Sequence, residues 1–519
     1  MSGLSREPEL AQPAMPTGAA AARLQAPTGA RVALGLAVFA VVWLLHLSAT
    51  SLSPPVDNIE QLTWVRSLQW GYYKHPPLPT WLLWLPVQVL GWSGWTTYLL
   101  GGTVTLAAMG VFWHLLRDLR GSSHATLALL ATLCITYYNG RLNYYNHNVV
   151  LLLAAAVSAW CCWRAFDEKR LRWWLALGVA LGLGALTKYQ IVVTALSVLC
   201  FWVSQRGWRE PLHVRGLLLA ALIALLILTP HLLWLVADDF GPIRYAMATS
   251  LDVHLDTAAR LLNASKWFAD QLLNRSLPAL ILLGLCAHSV LRDRKRGAAA
   301  AMASRHDEKP GSRALIVCWA AVPLLFMPAL GVGFGSDLQL QWGTAFLPFV
   351  VPAAMELLPR EFWRHVRMAF ALKLFLGVQG FLLLLSYVTS PVGVDALKDH
   401  HWRTFNSKRL AADVAAPARA ALGGPIRVVI GNPAISGALA LQLPEQPVIL
   451  IDGNLHNSPW VVADLVGRCG ALEVFLAALP PANATPVGTD FPSLYWRVVQ
   501  PVRPDRACPP PAPGRGQPP

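Results

Sequence analysis

Apolar runs of about 15–23 residues recur along this chain, near positions 32–52, 97–116, 124–139, 147–163, 173–187, 189–204, 216–237, 277–291, 314–332, 343–359 and 367–389. Each is close to the ~20 residues a helix needs to cross the hydrocarbon core of a bilayer. Only 13% of the residues are charged, against about 25% in an ordinary soluble domain. A chain of this kind cannot cover a globular surface, so the pattern predicts an α-helical polytopic membrane protein with about eleven transmembrane helices. Leu78–Leu90 is shorter and interrupted by Pro79 and Pro86, which predicts an interfacial or re-entrant segment. The run beginning at Val32 is too long for a signal-peptide core and lacks a clear small-residue cleavage site, so it reads as an uncleaved first span.

The loops give the orientation. One alternate set is rich in cations: Arg117 and Arg120; Arg164, Lys169, Arg170 and Arg172; Arg206, Arg209 and Arg215; Arg292, Arg294, Lys295 and Arg296; Arg360, Arg364 and Arg367. The opposite set is much poorer. The positive-inside rule puts the first set in the cytoplasm. The N-terminus is then cytoplasmic and the C-terminal segment external, which in a bacterial inner (plasma) membrane means periplasmic. The net charge of +14 sits mostly in these short loops. It therefore reads as topology signal and contact with anionic membrane lipids rather than as a nucleic-acid surface. The 22 Trp residues suit the headgroup zone.

Residues 1–30 are polar and Ala/Pro-rich and are expected to be disordered and cytoplasmic. The membrane domain is expected over 31–390, with external loops at 53–96 and 237–276. Leu255–Leu273 has helical spacing within the second loop. Residues 391–500 read as a small α/β domain. Ile426–Gly431 and Pro447–Asp452 are short β-branched runs, and Ile435–Leu443 and Trp460–Gly467 look helical. Residues 501–519 form a Pro-rich, disordered tail. Six of the eight Cys lie in apolar runs. Only Cys469 and Cys508 lie outside, and one disulfide between them is compatible with their position.

The chemistry concentrates in PPVDNIEQLTWVRSLQWGYYKHPPLPTW, residues 54–81. Asp57 and Glu60 are three apart and share a face if the segment is helical. Paired carboxylates at a membrane surface can serve as a general base, bind a metal or orient a nucleophile. They can equally be the acidic start of a juxtamembrane helix. Tyr72, Tyr73, Lys74, His75, Pro76 and Pro77 follow at a density that a simple connector does not need.

Asp57…Glu60 followed by GYYKHPPL at 71–78 resembles the first external loop of bacterial glycosyltransferase family 39. That family holds protein O-mannosyltransferases and lipid A aminoarabinose transferases on the membrane-bound C-type glycosyltransferase fold. NYYNHNVVLLLAAAVSAW at 143–160, GLGALTKYQ at 182–190 and LQLQWGTAFLPFVVP at 338–352 resemble further segments of it. The resemblance covers most of 30–500 and implies that Asp57 is the catalytic base. Two departures stand out. Many members have Asp-Glu where this chain has Asp57-Asn58, with Glu60 as a stand-in acid, and many have Asp where this chain has Asn148.

On the resemblance, the donor is a polyprenyl-phosphate-linked sugar and the acceptor is a lipid, a glycan or a protein. Cations near the donor phosphate would stabilise the charge that develops on the leaving group. Lys188, at the outer end of two spans, is the first candidate, with snorkelling to the interface as the alternative. Arg141 is the second. Lys74 and His75 could serve donor or acceptor, or His75 could be structural. Asn146, His147 and Asn148 could bond sugar hydroxyls or cap a helix. Tyr72, Tyr73, Tyr144 and Tyr145 could stack on a sugar or anchor the interface, and Tyr189 is part of the matched Lys-Tyr pair. No cofactor is firmly implied. Asp252, His254 and Asp256 resemble a metal cluster only superficially. The competing readings are a secondary transporter, against which the absence of repeated halves counts, and an inactive relative that binds lipid-linked sugars.

Overall fold

The computed structural model describes residues 28–251, 255–295, 309–479, 481–502 and 508–509. The expected disorder of 1–30 and of the Pro-rich tail, and the Asp252–His254 part of the superficial metal cluster, therefore fall largely outside the described residues.

The chain is a bundle of apolar helices with a small sheet domain at one end. α1 (Gly29–Ala49) begins at Thr28, whose hydroxyl accepts from the Arg31 amide. Pro54 and Pro55 then break the chain, and α2 (Val56–Trp64) starts directly after them. α3 (Leu78–Leu90), α4 (Gly94–Arg120), α5 (Ser122–Thr132), α6 (His147–Glu168), α7 (Leu171–Ala185), α8 (Ile191–Ser204) and α9 (Pro211–Ala237) follow. The second long loop contains α10 (Gly241–Ala246) and α11 (Thr257–Ala269). α12 (Leu277–Lys295), α13 (Ser312–Phe334), α14 (Val350–Met355), α15 (Arg360–Arg364) and α16 (Met368–Val388) complete the bundle.

Among the described residues, six helices are long and apolar enough to cross a membrane: α1, α4, α6, α9, α13 and α16. A seventh arises if the Thr257–Arg275 helix and α12, bent by 52°, form one span. The chain is a multi-pass membrane protein. The eleven expected spans are not all full-length helices. α3, α7 and α8 are shorter apolar helices. The run at 343–359 is broken into tight turns and the six-residue α14. Pro348 and Pro352 in that run lack the N–H that a continuous helix would use.

Small residues set the closest approaches. A Cβ at Gly178 would stand 2.6 Å from the Ala220 carbonyl oxygen, and one at Gly182 would stand 2.9 Å from Ile227 Cβ. α7 therefore lies against α9 along a glycine face, as membrane helices do where backbones meet. Gly101 in α4 faces the Tyr144 carbonyl, which a Cβ would meet at 2.2 Å. This contact draws the 139–146 segment onto α4 beneath the first loop.

The tail domain contains α17 (Ser407–Leu422), β1 (Val428–Gly431), α18 (Pro433–Ala440), β2 (Val448–Ile451), β3 (Ala471–Leu476), β4 (Thr485–Pro486) and β5 (Leu494–Val499). The strand order is β2-β1-β3-β5-β4. β1 runs parallel to β2 and β3, and β5 runs antiparallel to β3 and β4. The two expected strands and the helix after the first are present. Of the expected Trp460–Gly467 helix only Leu465–Cys469 is helical. Cys469 and Cys508 form a disulfide.

The tail domain sits directly on α2. The Leu52 amide donates to the Arg403 carbonyl at 2.8 Å, and Trp402 Nε1 donates to the Pro54 carbonyl at 2.7 Å. A Cβ on Gly437 of α18 would lie 2.2 Å from Ile59 Cγ2 of α2. Gly437→Val should therefore lower the stability of the docked chain by about 1–3 kcal/mol through overpacking. Adding Ile59→Ala should recover part of that loss. Thermal unfolding of the purified variants reads both effects, and a Gly437→Val chain as stable as wild type would show that α18 does not rest on α2.

Candidate active site

α2 is a short helix with seven of its nine side chains buried, four of them polar. The four polar side chains are hydrogen-bonded, as burial requires, while the buried Trp64 indole nitrogen has no partner among the described residues. Asn58 is 0% exposed. Its Nδ2 donates to Thr97 Oγ1 and to the Asn143 carbonyl, both at 2.8 Å, and its Oδ1 accepts from the Tyr145 amide at 2.9 Å. Gln61 Oε1 accepts from Thr80 Oγ1 at 2.9 Å, and Thr63 donates to the Ile59 carbonyl at 3.0 Å. The Asn58 departure thus marks a side chain that clamps α2 to α4 and to the start of α6. In this setting a carboxylate could not donate the two bonds that the amide makes.

The two acids of α2 have different partners. Asp57 is half-buried, and its Oδ2 accepts from Asn146 Nδ2 at 2.7 Å. Asn146 is also the N-cap of α6, its Oδ1 accepting from the Val149 amide at 3.0 Å. One side chain therefore both starts the helix and orients the acid. Glu60, 6% exposed, pairs with Lys74 of the first loop. Burial opposes the charge on Lys74, but Glu60 and then Tyr73 outweigh it, so the ammonium is held above the usual lysine range. Lys74 also lies 5.3 Å from the ring centres of both Tyr73 and Tyr245.

Lys188 occupies the turn between α7 and α8. Its Nζ donates to Asn148 Oδ1 at 2.6 Å and stands 5.6 Å over the Trp342 ring. Burial lowers its pKa to about 8, and the Asp57 carboxylate acts in the opposite sense. Asn146 and Asn148, two residues apart at the start of α6, thus hold the acid and the ammonium. With an amide at 148, the partner of Lys188 there is neutral.

His75 and His147 face each other at 4.1 Å between ring centres, with Trp64 edge-on to His147 at 5.8 Å. Burial, and then the neighbouring His147 and Lys188, push His75 well below the ordinary imidazole range, so it is neutral at pH 7. The His147 ring nitrogen Nε2 is 3.3 Å from the Pro76 carbonyl. Tyr72 is 2% exposed, stacks on Trp64 at 4.9 Å and donates to the Ser67 carbonyl at 3.0 Å. It packs the loop rather than facing an open site. Tyr189 bonds His231 Nε2 at 2.8 Å, and His231 Nδ1 meets the Trp70 carbonyl at 2.6 Å.

Arg141 lies apart from Lys188, over Tyr137 and Tyr144 in a cavity that neither Lys188 nor Asn148 lines. Trp64, Tyr245, His231 and Trp342 complete the arrangement. Apart from Trp342, which stands in the matched late segment, nothing local in the sequence singles them out. Among the described residues, no group of three or more His, Cys, Asp or Glu side chains is disposed to hold a metal ion. Asp337 accepts from Asn263 Nδ2 at 2.6 Å, which fastens α11.

Residues 74–234 match the family model described as dolichyl-phosphate-mannose-protein mannosyltransferase. The chain is 27% identical over 184 residues to the lipopolysaccharide core galacturonosyltransferase RgtA of Rhizobium johnstonii, covering 35% of this chain and 36% of that one. It is 30% identical over 262 residues to undecaprenyl phosphate-alpha-4-amino-4-deoxy-L-arabinose arabinosyl transferase 1 of Sodalis glossinidius, covering 49% of this chain and 42% of that one. The chain thus spans less than half the length of these curated relatives. The crystal structure of ArnT from Cupriavidus metallidurans bound to undecaprenyl phosphate superposes with a TM-score of 0.62 at 15% identity, over 91% of this chain and 98% of that one. With that architecture along most of its length, the chain has the membrane-bound C-type glycosyltransferase fold, and its residues 74–234 match the mannosyltransferase family model.

Proposed function

We propose that this chain is an inverting glycosyltransferase. It would move a sugar from a polyprenyl-phosphate-linked donor to an envelope acceptor (a lipid A or core glycan, or a protein hydroxyl) at the periplasmic face of a bacterial inner membrane. The observation that carries this reading is the pairing at the start of α6: Asn146 holds the Asp57 carboxylate and Asn148 holds the Lys188 ammonium. The similarity to transferases named for lipopolysaccharide core, and the undecaprenyl phosphate in the solved ArnT structure, support a lipid-linked donor and a lipid or glycan acceptor. The cation-rich alternate loops support the orientation, with the N-terminus cytoplasmic and the tail domain periplasmic.

The chemistry is one displacement. Asp57 takes the proton of the acceptor hydroxyl as its oxygen bonds to the anomeric carbon. The bond from that carbon to the phosphate oxygen breaks, and the electron pair leaves with the lipid phosphate. Lys188 faces the charge that develops there. Glu60 keeps Lys74 charged and in place beside Tyr73, where the pair can bond donor or acceptor. Neutral His75 offers hydrogen bonds to sugar hydroxyls without adding charge, with His147 packed against it. The reaction written this way needs no covalent intermediate.

Sugar transfer from a panel of undecaprenyl-phosphate sugars should be detected with wild-type membranes and should fall about 10²–10⁴-fold in Asp57→Asn, consistent with loss of a general base. Turnover that survives Asp57→Asn but disappears in Glu60→Gln would move the base to Glu60. Lys188 is charged below its pKa of about 8 and neutral above it. The rate at saturating donor should therefore fall as pH rises through that value, and Lys188→Arg should keep more of its activity at alkaline pH. A flat profile across that range in both proteins would remove Lys188 from the leaving-group site.

A further inference from the structure

A cavity of about 430 Å³ opens at the tail-domain end of the bundle, between α1, α16, the 136–144 segment and the entry to the tail domain. Arg141, Arg275 and Arg403 line it, and Asp399 is the one acidic side chain in its wall. The three guanidinium groups are held differently. Arg403 pairs with Asp399 and donates to Thr389 Oγ1 at 2.8 Å, which fixes it to the end of α16. Arg275 donates to Asp270 at 3.0 Å and lies 4.8 Å from the Tyr137 ring centre. Arg141 makes no ion pair among the described residues and rests between the Tyr137 and Tyr144 rings at 5.5 and 5.3 Å. A cation stacked between rings without a carboxylate is ready to receive an anion.

The opposite wall is apolar. Trp43 and Leu47 come from the last turns of α1, and Leu382 and Leu385 from the last turns of α16. Both helices are membrane-crossing candidates; Trp43, Leu47 and Leu382 are buried in the bundle and Leu385 is exposed, so the cationic cluster meets the apolar ends of two candidate spans here. That combination fits an anionic headgroup with acyl chains, not a free anion or a polypeptide. Tyr144 is within electrostatic reach of Asp57 as well as of the three arginines, so the cavity adjoins the acid of the first loop.

We propose that this cavity binds the anionic headgroup of a phosphate-bearing glycolipid acceptor, separately from the donor phosphate at Lys188. The proposal rests on the transferase reading above and assigns its acceptor side. It makes the acceptor an acylated, phosphorylated saccharide whose charge is read by Arg141 and Arg403 while its hydroxyl reaches Asp57.

Binding to the purified full-length chain tests this without turnover, with bisphosphorylated lipid A, its dephosphorylated form, inorganic phosphate and undecaprenyl phosphate as probes. Arg141→Gln and Arg403→Gln should each weaken bisphosphorylated lipid A by about tenfold or more, as expected for losing a charge-assisted contact, and leave undecaprenyl phosphate nearly unchanged. Lys188→Met should do the reverse. Dephosphorylated lipid A and inorganic phosphate should both bind wild type much more weakly than the phosphorylated lipid. Arg141→Gln is the decisive variant because it breaks no ion pair, and an unchanged melting temperature confirms its fold. Undecaprenyl phosphate that weakens in Arg141→Gln would make the cavity the donor's and overturn the proposal. Inorganic phosphate binding as tightly as the lipid, or lipid A binding that ignores both arginine substitutions, would also overturn it. Binding as expected in a chain that consumes no donor would uphold the acceptor cavity and defeat the transferase reading instead.

Discussion

The structure depends on the burial of one short polar helix. α2 carries Asp57, Asn58, Glu60, Gln61 and Thr63 between a membrane-crossing helix and a sheet domain, where an unpaired polar group would cost on the order of 1–3 kcal/mol. Asn58 meets that constraint with three bonds to two parts of the chain: to Thr97 of α4, and to the Asn143 carbonyl and the Tyr145 amide before α6. Because those parts are the top of α4 and the lead-in to α6, satisfying Asn58 also fixes where Asn146 stands, and Asn146 in turn orients Asp57. The tail domain covers α2 from the other side through Gly437 and Ile59. The acid is therefore held by the same bonds that make burial of the helix tolerable.

This arrangement separates functions that look merged in one dimension. Asp57 and Glu60 share a helical spacing, yet they turn to different partners, one to the α6 cap and one to Lys74. The cations divide as well. Lys188 joins Asn148, two residues from the partner of Asp57, while Arg141 stands in a separate cavity with Arg275 and Arg403. Lys188 feels the Asp57 carboxylate, and Tyr144 beside the arginine cavity feels both Asp57 and the arginines, so the proposed transfer between two lipid-borne substrates would have an anion-recognition point on each side of the acid.

Much of this was legible in the sequence. The long apolar runs at 32–52, 97–116, 147–163, 216–237, 314–332 and 367–389 each yield a helix able to cross a membrane, because length and composition alone decide that. The first-loop acids and the Lys-Tyr pair at 188–189 pointed to the region that the fold gathers. The tenth run, 343–359, failed as a single helix because Pro348 and Pro352 interrupt it, a local signal outweighed by its hydropathy. The β3 and β5 strands and α17 were not read. Ala471–Leu476 and Leu494–Val499 pair across 17 residues that hold, among the described residues, only the two-residue β4, and half of the buried residues of Ser407–Leu422 are Ala, a weak apolar signal. Pairings such as Lys188 with Asn148 or Asn58 with Thr97 are long-range contacts between side chains of ordinary type, and one sequence carries no local mark of them.

The stereochemistry of the transferred sugar is the most direct check. A single base at Asp57 and no covalent intermediate require one displacement at the anomeric carbon, so the product should carry the anomeric configuration opposite to that of the lipid-phosphate donor. NMR of the product formed by the wild-type chain from a donor of defined anomeric configuration decides it. Inversion is the expected result. Retention would require a second nucleophile that neither Asp57 nor its partners supply, and would contradict the mechanism.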